Sequence, residues 1–210
     1  VYEATDHALG RRVAVKLIRD EWVHSADAAH RFRQEVRAVA GFAHPNVVTV
    51  HDYGVEAGSR AFLVMELLEG TTLRDELRQS GRLDAARAVE VLRGVCNAVD
   101  AAHRRQLVHR DLKPENIFFE EGYVKIGDYG LSKYISASRQ SGQTISVGTV
   151  HYMAPEIGSG IYDRSIDIYA AGIILYELLT GEVPFTGHSF GEILMKHLAA
   201  APNLDPIPES

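Results

Sequence analysis

Apolar and polar residues in the first third of the chain follow the patterns of a small β-sheet with one helix. β-Branched residues alternate with other residues over Val13–Ile18, and Val47–Tyr53 and Ala61–Leu67 are similar short apolar runs. Half-buried strands show this alternation. Over Asp27–Phe42 the apolar residues recur at intervals of three and four, which places them on one helical face. The sequence therefore predicts three strands and one helix before Gly70.

After Gly70 the spacing of apolar residues becomes mainly helical. The predicted helices are Thr72–Ser80, Asp84–Arg105, Asp167–Thr180 and Phe190–Ala200. The third of these helices is apolar around nearly its whole circumference, so we expect it to be buried on all sides. The second part of the chain is therefore predicted to be mainly helical.

Two non-helical features interrupt this second part. Asn116–Phe119 and Tyr123–Ile126 are short strand-like runs on either side of a turn. Ser132–Thr149 is rich in Ser, Thr, Gly and Gln and has little periodicity. Loops of this length inside a compact domain are usually functional or disordered, so we predict a long loop there.

Composition and charge exclude several classes of protein. The 210 residues are 46% hydrophobic, which is ordinary for a globular domain. The formal net charge of -6 argues against a nucleic-acid partner, which usually requires a concentrated basic surface. The longest uncharged apolar stretch, Ile168–Tyr176, is much shorter than the roughly 20 residues of a membrane span, so this segment predicts no membrane contact.

The single cysteine and the ten histidines carry little chemical signal. Cys96 cannot form an internal disulfide, and its apolar neighbours predict a buried, inert thiol. The histidines lack an HExxH pattern or other ligand spacing, so we expect no zinc site.

The strongest chemical signal lies between residues 109 and 130. His109–Asn116 has the sequence HRDLKPEN, and Asp128-Tyr129-Gly130 follows twelve residues later. This stretch supplies carboxylates, an amide and a lysine. Phosphoryl transfer from a nucleotide requires such groups, because the protein mainly positions the reactants and neutralises developing charge.

Together with Val13–Lys16 (VAVK) upstream and Ala154–Glu156 (APE) downstream, these motifs resemble the signature set of the protein kinases. The chain resembles a eukaryotic-like serine/threonine protein kinase, and its sequence style resembles the bacterial members. The resemblance implies an α+β fold with two lobes: a small β-rich lobe with one helix (1–67) and a larger, mainly helical lobe (68–210).

The resemblance also implies roles for the catalytic residues. Asp111 would be the catalytic base, Lys113 would contact the γ-phosphate, and Thr149 would approach both of them. Asn116 and Asp128 would bind Mg²⁺, for which Mn²⁺ could substitute, together with phosphate oxygens.

For ATP, the resemblance implies a lysine–glutamate pair on the α- and β-phosphates and an apolar slot for the base. Lys16 and Glu35 would form the pair. The backbone of the hinge would hydrogen-bond the adenine. The residues implied around the base are Val1, Ala14, Met65, Glu66, Leu68 and Phe118.

Several further residues have implied structural or regulatory roles. Phosphorylation of Thr144 or Ser146 would order the long loop, with Arg110 as the phosphate receiver. Asp167 would fix the catalytic loop through hydrogen bonds to its backbone, or would simply cap a helix. Tyr129 replaces the usual phenylalanine, and its hydroxyl then requires a partner or water.

The implied function is ATP-dependent phosphorylation of Ser and Thr residues on proteins, including the kinase's own loop, in the cytoplasm. Whether a homodimer phosphorylates itself in trans is left open. A pseudokinase scaffold and a small-molecule phosphotransferase are the two alternatives. The first would usually lose Lys16, Asp111, Asn116 or Asp128, and Gly148–Glu156 argues against the second. Because the glycine-rich loop and the last helices of the family are missing, we expect the chain to be a fragment with little activity by itself.

Overall fold

The computed structural model describes residues 1–18, 26–55, 61–129 and 147–208; within these ranges the side chains of 26–29, 31, 32, 35, 147 and 159 are not described. The first lobe, whose last strand ends at Glu66, contains a sheet and one helix. Its elements are β1 (Tyr2–Asp6), β2 (Arg11–Ile18), α1 (Ala26–Ala40), β3 (Val50–Val55) and β4 (Ala61–Glu66).

The sheet of the first lobe is antiparallel, with strand order β1-β2-β4-β3. Lys16 pairs with Leu63, and Ala14 pairs with Met65. Strand β1 was not predicted; it pairs with β2 from Tyr2↔Val15 to Asp6↔Arg11. Its short sequence shows too little alternation to be recognised without that partner.

The second lobe is mainly helical, as the sequence predicts. Its elements are α2 (Leu73–Ser80), α3 (Ala85–His103), β5 (Ile117–Glu120), β6 (Tyr123–Ile126), the single helical turn α4 (Val147–Val150), α5 (Ser165–Thr180) and α6 (Phe190–Ala199). Thr72 caps α2 with a capping box, and Asp84 caps α3 by accepting from the Arg87 N–H. These caps satisfy backbone donors that the first turn of a helix cannot pair internally.

The main core lies between α2, α3, α5 and the β5–β6 hairpin. Val91, Val95 and Ile174 are completely or almost completely buried there. Val39 and Phe42, at and just beyond the end of α1, belong to the same cluster. The first lobe is therefore packed onto the second through the end of its helix as well as through the connecting chain.

Three expectations from the sequence are wrong in detail. Helix α5 is not buried on all sides, because Ile168 is 63% exposed. Cys96 is exposed and not in the core, although burial of part of its surface raises the pKa of its thiol. The end of the predicted loop is helical, since α4 covers Val147–Val150; residues 130–146 of that loop lie outside the described residues.

Backbone and side-chain hydrogen bonds connect the two lobes on both sides of the connecting segment. Lys125 Nζ on β6 lies 2.8 Å from both carboxylate oxygens of Glu66, at the end of β4. Glu66 Oε1 also accepts from the Thr49 N–H at 2.7 Å. Burial opposes ionisation of Glu66, but Lys125 and this N–H outweigh it and hold the pKa of the carboxyl below its usual value.

The connecting segment is also bound to β5. Glu120 Oε2 accepts from the backbone N–H groups of Glu69 and Gly70 at 3.0 and 2.9 Å. A Cβ at Gly70 would lie 1.5 Å from the Phe119 carbonyl oxygen, so no other residue fits without a backbone shift.

Among the described residues, no helix is long and apolar enough to cross a membrane.

Candidate active site

His109 fixes the shape of the loop that carries the HRDLKPEN motif. Its ring is completely buried. The Asp111 N–H donates to His109 Nδ1 at 3.2 Å, so the ring proton lies on Nε2, which donates to the Gly127 carbonyl at 2.8 Å. A single imidazole therefore connects the loop to the residue directly before Asp128.

Asp167 binds the backbone of the same loop through its carboxylate. It lies in the first turn of α5 and is 1% exposed. Its Oδ2 accepts from the His109 N–H at 2.8 Å, and its Oδ1 accepts from the Arg110 N–H at 2.9 Å. His103 Nε2 lies 2.8 Å from Oδ2. These contacts confirm the predicted role of Asp167 and favour it over simple helix capping.

Burial alone would raise the pKa of Asp167, because a carboxylate loses its hydration. The hydrogen bonds from His103 and from the two backbone N–H groups outweigh that effect, so the pKa lies below its usual value. The carboxylate is therefore ionised at neutral pH and continues to accept these bonds.

Asp111, Lys113 and Thr149 come together although Thr149 is 36 residues from Lys113. Lys113 Nζ lies 3.0 Å from Asp111 Oδ2, 3.2 Å from Asp111 Oδ1 and 3.0 Å from Thr149 Oγ1. Asn116 Nδ2 donates to the Asp111 backbone carbonyl at 2.7 Å and approaches Oδ2 at 3.3 Å. The Asp111 carboxylate is therefore held between an ammonium and an amide.

Lys16 and Asp128 face each other across the two lobes. Lys16 lies on β2 and Asp128 follows β6, and their Nζ and Oδ2 atoms are 2.7 Å apart. Asp128 has a φ of 60° and Arg110 a φ of 69°, in the left-handed region that residues other than glycine rarely adopt. Such strained conformations concentrate at functional sites, where the surrounding structure holds them.

The residues present fit a magnesium ion that is bound together with phosphate. Asn116 uses Nδ2 for Asp111, which leaves its Oδ1 to face a cation, and Asp128 supplies carboxylate oxygens. Within the described ranges no group of three or more His, Cys, Asp or Glu side chains could hold a metal ion. Mg²⁺ commonly takes one or two protein oxygens and completes its shell with phosphate and water.

An apolar cluster lies beside these charged groups. Ala14 and Met65 are buried in it, and Leu68 and Phe118 are partly buried against it. The structure therefore brings together four of the residues predicted to surround a base. Val1 is 76% exposed and lies outside this cluster. The Glu66 N–H is already bonded to the Thr49 carbonyl at 3.0 Å, so this N–H is not available to a ligand.

A comparison with protein families matches residues 1–206 to the protein kinase domain. The chain belongs to the protein kinase family. It is 38% identical over 202 residues to the serine/threonine-protein kinase PrkC of Bacillus subtilis. The aligned region covers 95% of this chain and 31% of PrkC. It is also 40% identical over 215 residues to the serine/threonine-protein kinase PknA of Mycobacterium tuberculosis. That alignment covers 99% of this chain and 49% of PknA. The kinase domain thus spans between about a third and a half of the length of these relatives.

Some predicted site residues of the kinase domain cannot be compared with the structure. Glu35 belongs to α1, but its side chain is not described, so its pairing with Lys16 stays a prediction. Thr144 and Ser146 lie outside the described residues. Arg110 is described: its buried Nε has no hydrogen-bond partner within the described part of the chain.

Sequence reasoning missed one polar network of the kinase domain. Arg74, Glu115, Tyr152 and Glu177 come from four separate segments and form a single hydrogen-bonded cluster. Glu115 belongs to the HRDLKPEN motif, but Arg74 lies on a helix whose polar face is rich in charge. No local sequence signal separates Arg74 from the other arginines of that helix.

Proposed function

We propose that this kinase domain transfers the γ-phosphoryl group of ATP to Ser and Thr hydroxyls of proteins. The observation that supports this most is the placement of Lys113 Nζ between Asp111 and Thr149, within 3.0 Å of an oxygen of each. A hydroxyl that takes the place of the Thr149 contact would lie next to a carboxylate base and an ammonium. General-base catalysis requires a base within hydrogen-bond reach of the hydroxyl, and Asp111 would meet that requirement.

Each charged group then has a distinct task. Asp111 orients the acceptor hydroxyl and accepts its proton, and Lys113 offsets negative charge on the transferring phosphoryl group. Lys16 binds the α- and β-phosphates, paired with Glu35. Asn116 and Asp128 hold Mg²⁺, and Mn²⁺ could substitute. The charges of the two lysines and of Asp111, Asp128 and Glu35 sum to -1, so a divalent cation would offset the charge of the triphosphate.

The ATP base would lie in the apolar cluster. Ala14, Met65, Phe118 and Val1 would supply apolar contact, and the backbone of Glu66 and Leu68 would supply hydrogen bonds. We place the boundary between the two lobes at 67/68 on the same argument, since the base would contact both lobes there.

Regulation by phosphorylation of the segment before α4 completes the proposal. Phosphate on Thr144 or Ser146 would be received by Arg110, whose buried guanidinium nitrogen lacks a partner in the described part of the chain. Autophosphorylation in trans would require a homodimer, at least a transient one. We propose a cytoplasmic location for this domain, with protein substrates.

The test is phosphate incorporation by the complete protein with Mg-ATP, mapped by mass spectrometry. Asp111→Asn should lower incorporation by roughly 100-fold or more, because general-base catalysis contributes that much. Asp100→Asn is the matched control, since Asp100 is exposed near the end of α3 and its ion pair with Arg104 lies at the surface. Equal incorporation by Asp111→Asn and wild type, or phosphate on residues other than Ser and Thr, would contradict the proposal.

A further inference from the structure

Arg74 uses all three of its guanidinium nitrogens in contacts with other segments. From α2, its Nε donates to Glu115 Oε1 at 2.9 Å and its Nη1 to Glu177 Oε1 at 2.7 Å. Its Nη2 donates to the Tyr152 hydroxyl, which in turn donates to Glu177 Oε2 at 2.5 Å. One arginine thus lies between two carboxylates from distant parts of the chain.

This network borders the proposed site of the acceptor hydroxyl. Glu115 directly precedes Asn116, which contacts the Asp111 carboxylate. Tyr152 comes three residues after Thr149, and Asp111, Thr149 and Tyr152 line the same small cavity. A polypeptide whose hydroxyl reaches Asp111 therefore has neighbouring residues close to Glu115.

The members of the network differ in exposure. The Glu177 side chain is 6% exposed and that of Arg74 is 18% exposed, whereas Glu115 is 42% exposed. Burial and the charge of Glu177 raise the pKa of Tyr152, so its hydroxyl stays protonated and continues to donate to Glu177. Glu115 is thus the carboxylate that solvent and an incoming polypeptide can reach.

The charges of the network determine what Glu115 can bind. Without Arg74 the two glutamates would form a site with two negative charges, and a basic side chain of a substrate would fit between them. With Arg74 in place, the guanidinium already neutralises one of the two charges and occupies one oxygen of each carboxylate. A second cation would gain little there and would be repelled by the first.

We infer that Arg74 is a specificity-determining residue of the phosphoryl transfer: from within the chain it occupies the acidic position beside the acceptor hydroxyl, and so removes a preference for arginine or lysine in the substrate. This inference rests on the proposed function. It predicts that the wild-type kinase phosphorylates neutral peptides about as well as basic ones.

The experiment measures kcat/KM of the complete protein for a set of Ser-containing peptides of neutral sequence. Each peptide carries one Arg or one Ala at a position within five residues of the Ser. For wild type, the Arg and Ala members of each pair should agree within about threefold. In Arg74→Gln at least one Arg peptide should gain roughly tenfold over its Ala partner, mainly through a lower KM, because a partly desolvated charge pair contributes about that factor.

Four further variants separate specificity from folding. Arg74→Lys keeps the charge and should keep the wild-type ratio. Arg74→Gln with Glu177→Gln removes both members of the buried pair, so it avoids an unpaired buried carboxylate and should still gain preference for Arg through Glu115. Adding Glu115→Gln to Arg74→Gln, or to the double variant with Glu177→Gln, should abolish the gain in preference for Arg peptides.

The outcomes differ between the two proposals. If wild type phosphorylates no Ser or Thr at all, the proposed function is wrong and this inference falls with it. If wild type is active but kcat/KM of Arg and Ala peptides falls equally in both Gln variants, Arg74 only supports the structure and the inference is wrong. A wild-type preference of tenfold or more for Arg peptides would also overturn it.

Discussion

Lys16 and Asp128 form an ion pair between the two lobes, with Nζ 2.7 Å from Oδ2. Their side chains are 19% and 31% exposed, so solvent screens the pair only in part. The same two groups are proposed to bind the phosphates and the metal ion. Nucleotide binding must therefore replace this contact with contacts to the ligand, and the pair keeps both groups in position beforehand.

Lys16→Met should lower kcat/KM for ATP by roughly 100-fold, because the variant loses a positive charge aimed at the phosphates. Steady-state phosphorylation with varied Mg-ATP measures the effect. Lys196→Met is the matched control: Lys196 pairs with Glu192 on the surface of α6 and should leave the rate unchanged. An equal loss in both variants would contradict a specific role for Lys16.

Asp167→Asn should lower the free energy of unfolding by about 3 kcal/mol, since an amide cannot accept from both backbone N–H groups and its NH₂ would face one of them. Urea denaturation followed by circular dichroism measures this. Because the pKa of Asp167 is lowered in the folded state, its contribution is present above the ordinary carboxyl pKa of about 3.9 and is lost as the pH falls below it. The difference in free energy of unfolding between variant and wild type should therefore become smaller below about pH 4. A difference that is constant down to pH 2 would contradict the ionised role of Asp167.

Tyr129→Phe should stabilise the fold by about 1 kcal/mol. The Tyr129 hydroxyl is buried without a hydrogen-bond partner among the described residues, and burial, with the nearby charge of Asp167, raises its pKa. Its ring packs edge-on against His109 at 4.6 Å, a contact that phenylalanine keeps. Tyr152→Phe is the contrast, because it loses bonds to Arg74 and Glu177 and should destabilise the fold. Loss of stability in Tyr129→Phe would contradict the assignment of this hydroxyl as a buried group without a partner.

His197 should make stability depend on pH in mild acid. It is 7% exposed, its Nδ1 lies 2.6 Å from the Tyr169 hydroxyl, and burial together with the charge of His151 lowers its pKa from 6.5 to about 4. Because the folded state favours the neutral ring, this contribution is complete above pH 6.5 and is lost as the pH falls from 6.5 to 4. We expect a loss on the order of 2 kcal/mol over that window.

Urea denaturation at several pH values compares wild type with His197→Gln. The variant should lose most of the slope of stability between pH 6.5 and 4, whereas His188→Gln, at an exposed histidine, should keep it. The same slope in all three proteins would show that other groups cause the acid sensitivity.

Most elements of the fold follow from the sequence because each has a local cause. Thr72 and Asp84 begin helices where capping chemistry predicts them, and the Tyr123–Ile126 strand has the predicted bounds. Exposure was less predictable: Cys96 lies one position beyond the buried Val95, and a shift of one residue around a helix is enough to reach solvent.

The residues of the candidate site also differ in how well the sequence predicts their contacts. Asp111, Lys113 and Asn116 are close in sequence, so their motif predicts their proximity. The meeting of Arg74 with Glu177 spans 103 residues and depends on how α2 packs near α5, which no local pattern encodes. The sequence could predict residues that act together within one loop. It could not predict that Arg74, on another helix, pairs with Glu115 of that loop.

The contacts of Glu66 with Lys125 and of Glu120 with the Glu69 and Gly70 amides leave only Leu67 and Leu68 between two anchored points. Amide hydrogen exchange should therefore be slow at Glu69 and Gly70 and faster at Leu68; equally fast exchange at all three would contradict this. Both anchors belong to the β5–β6 hairpin, so the last residue of β4 is held by the second lobe as firmly as the segment that follows it. A change in the angle between the lobes would therefore bend the sheet of the first lobe before Glu66 or break the Glu66–Lys125 ion pair.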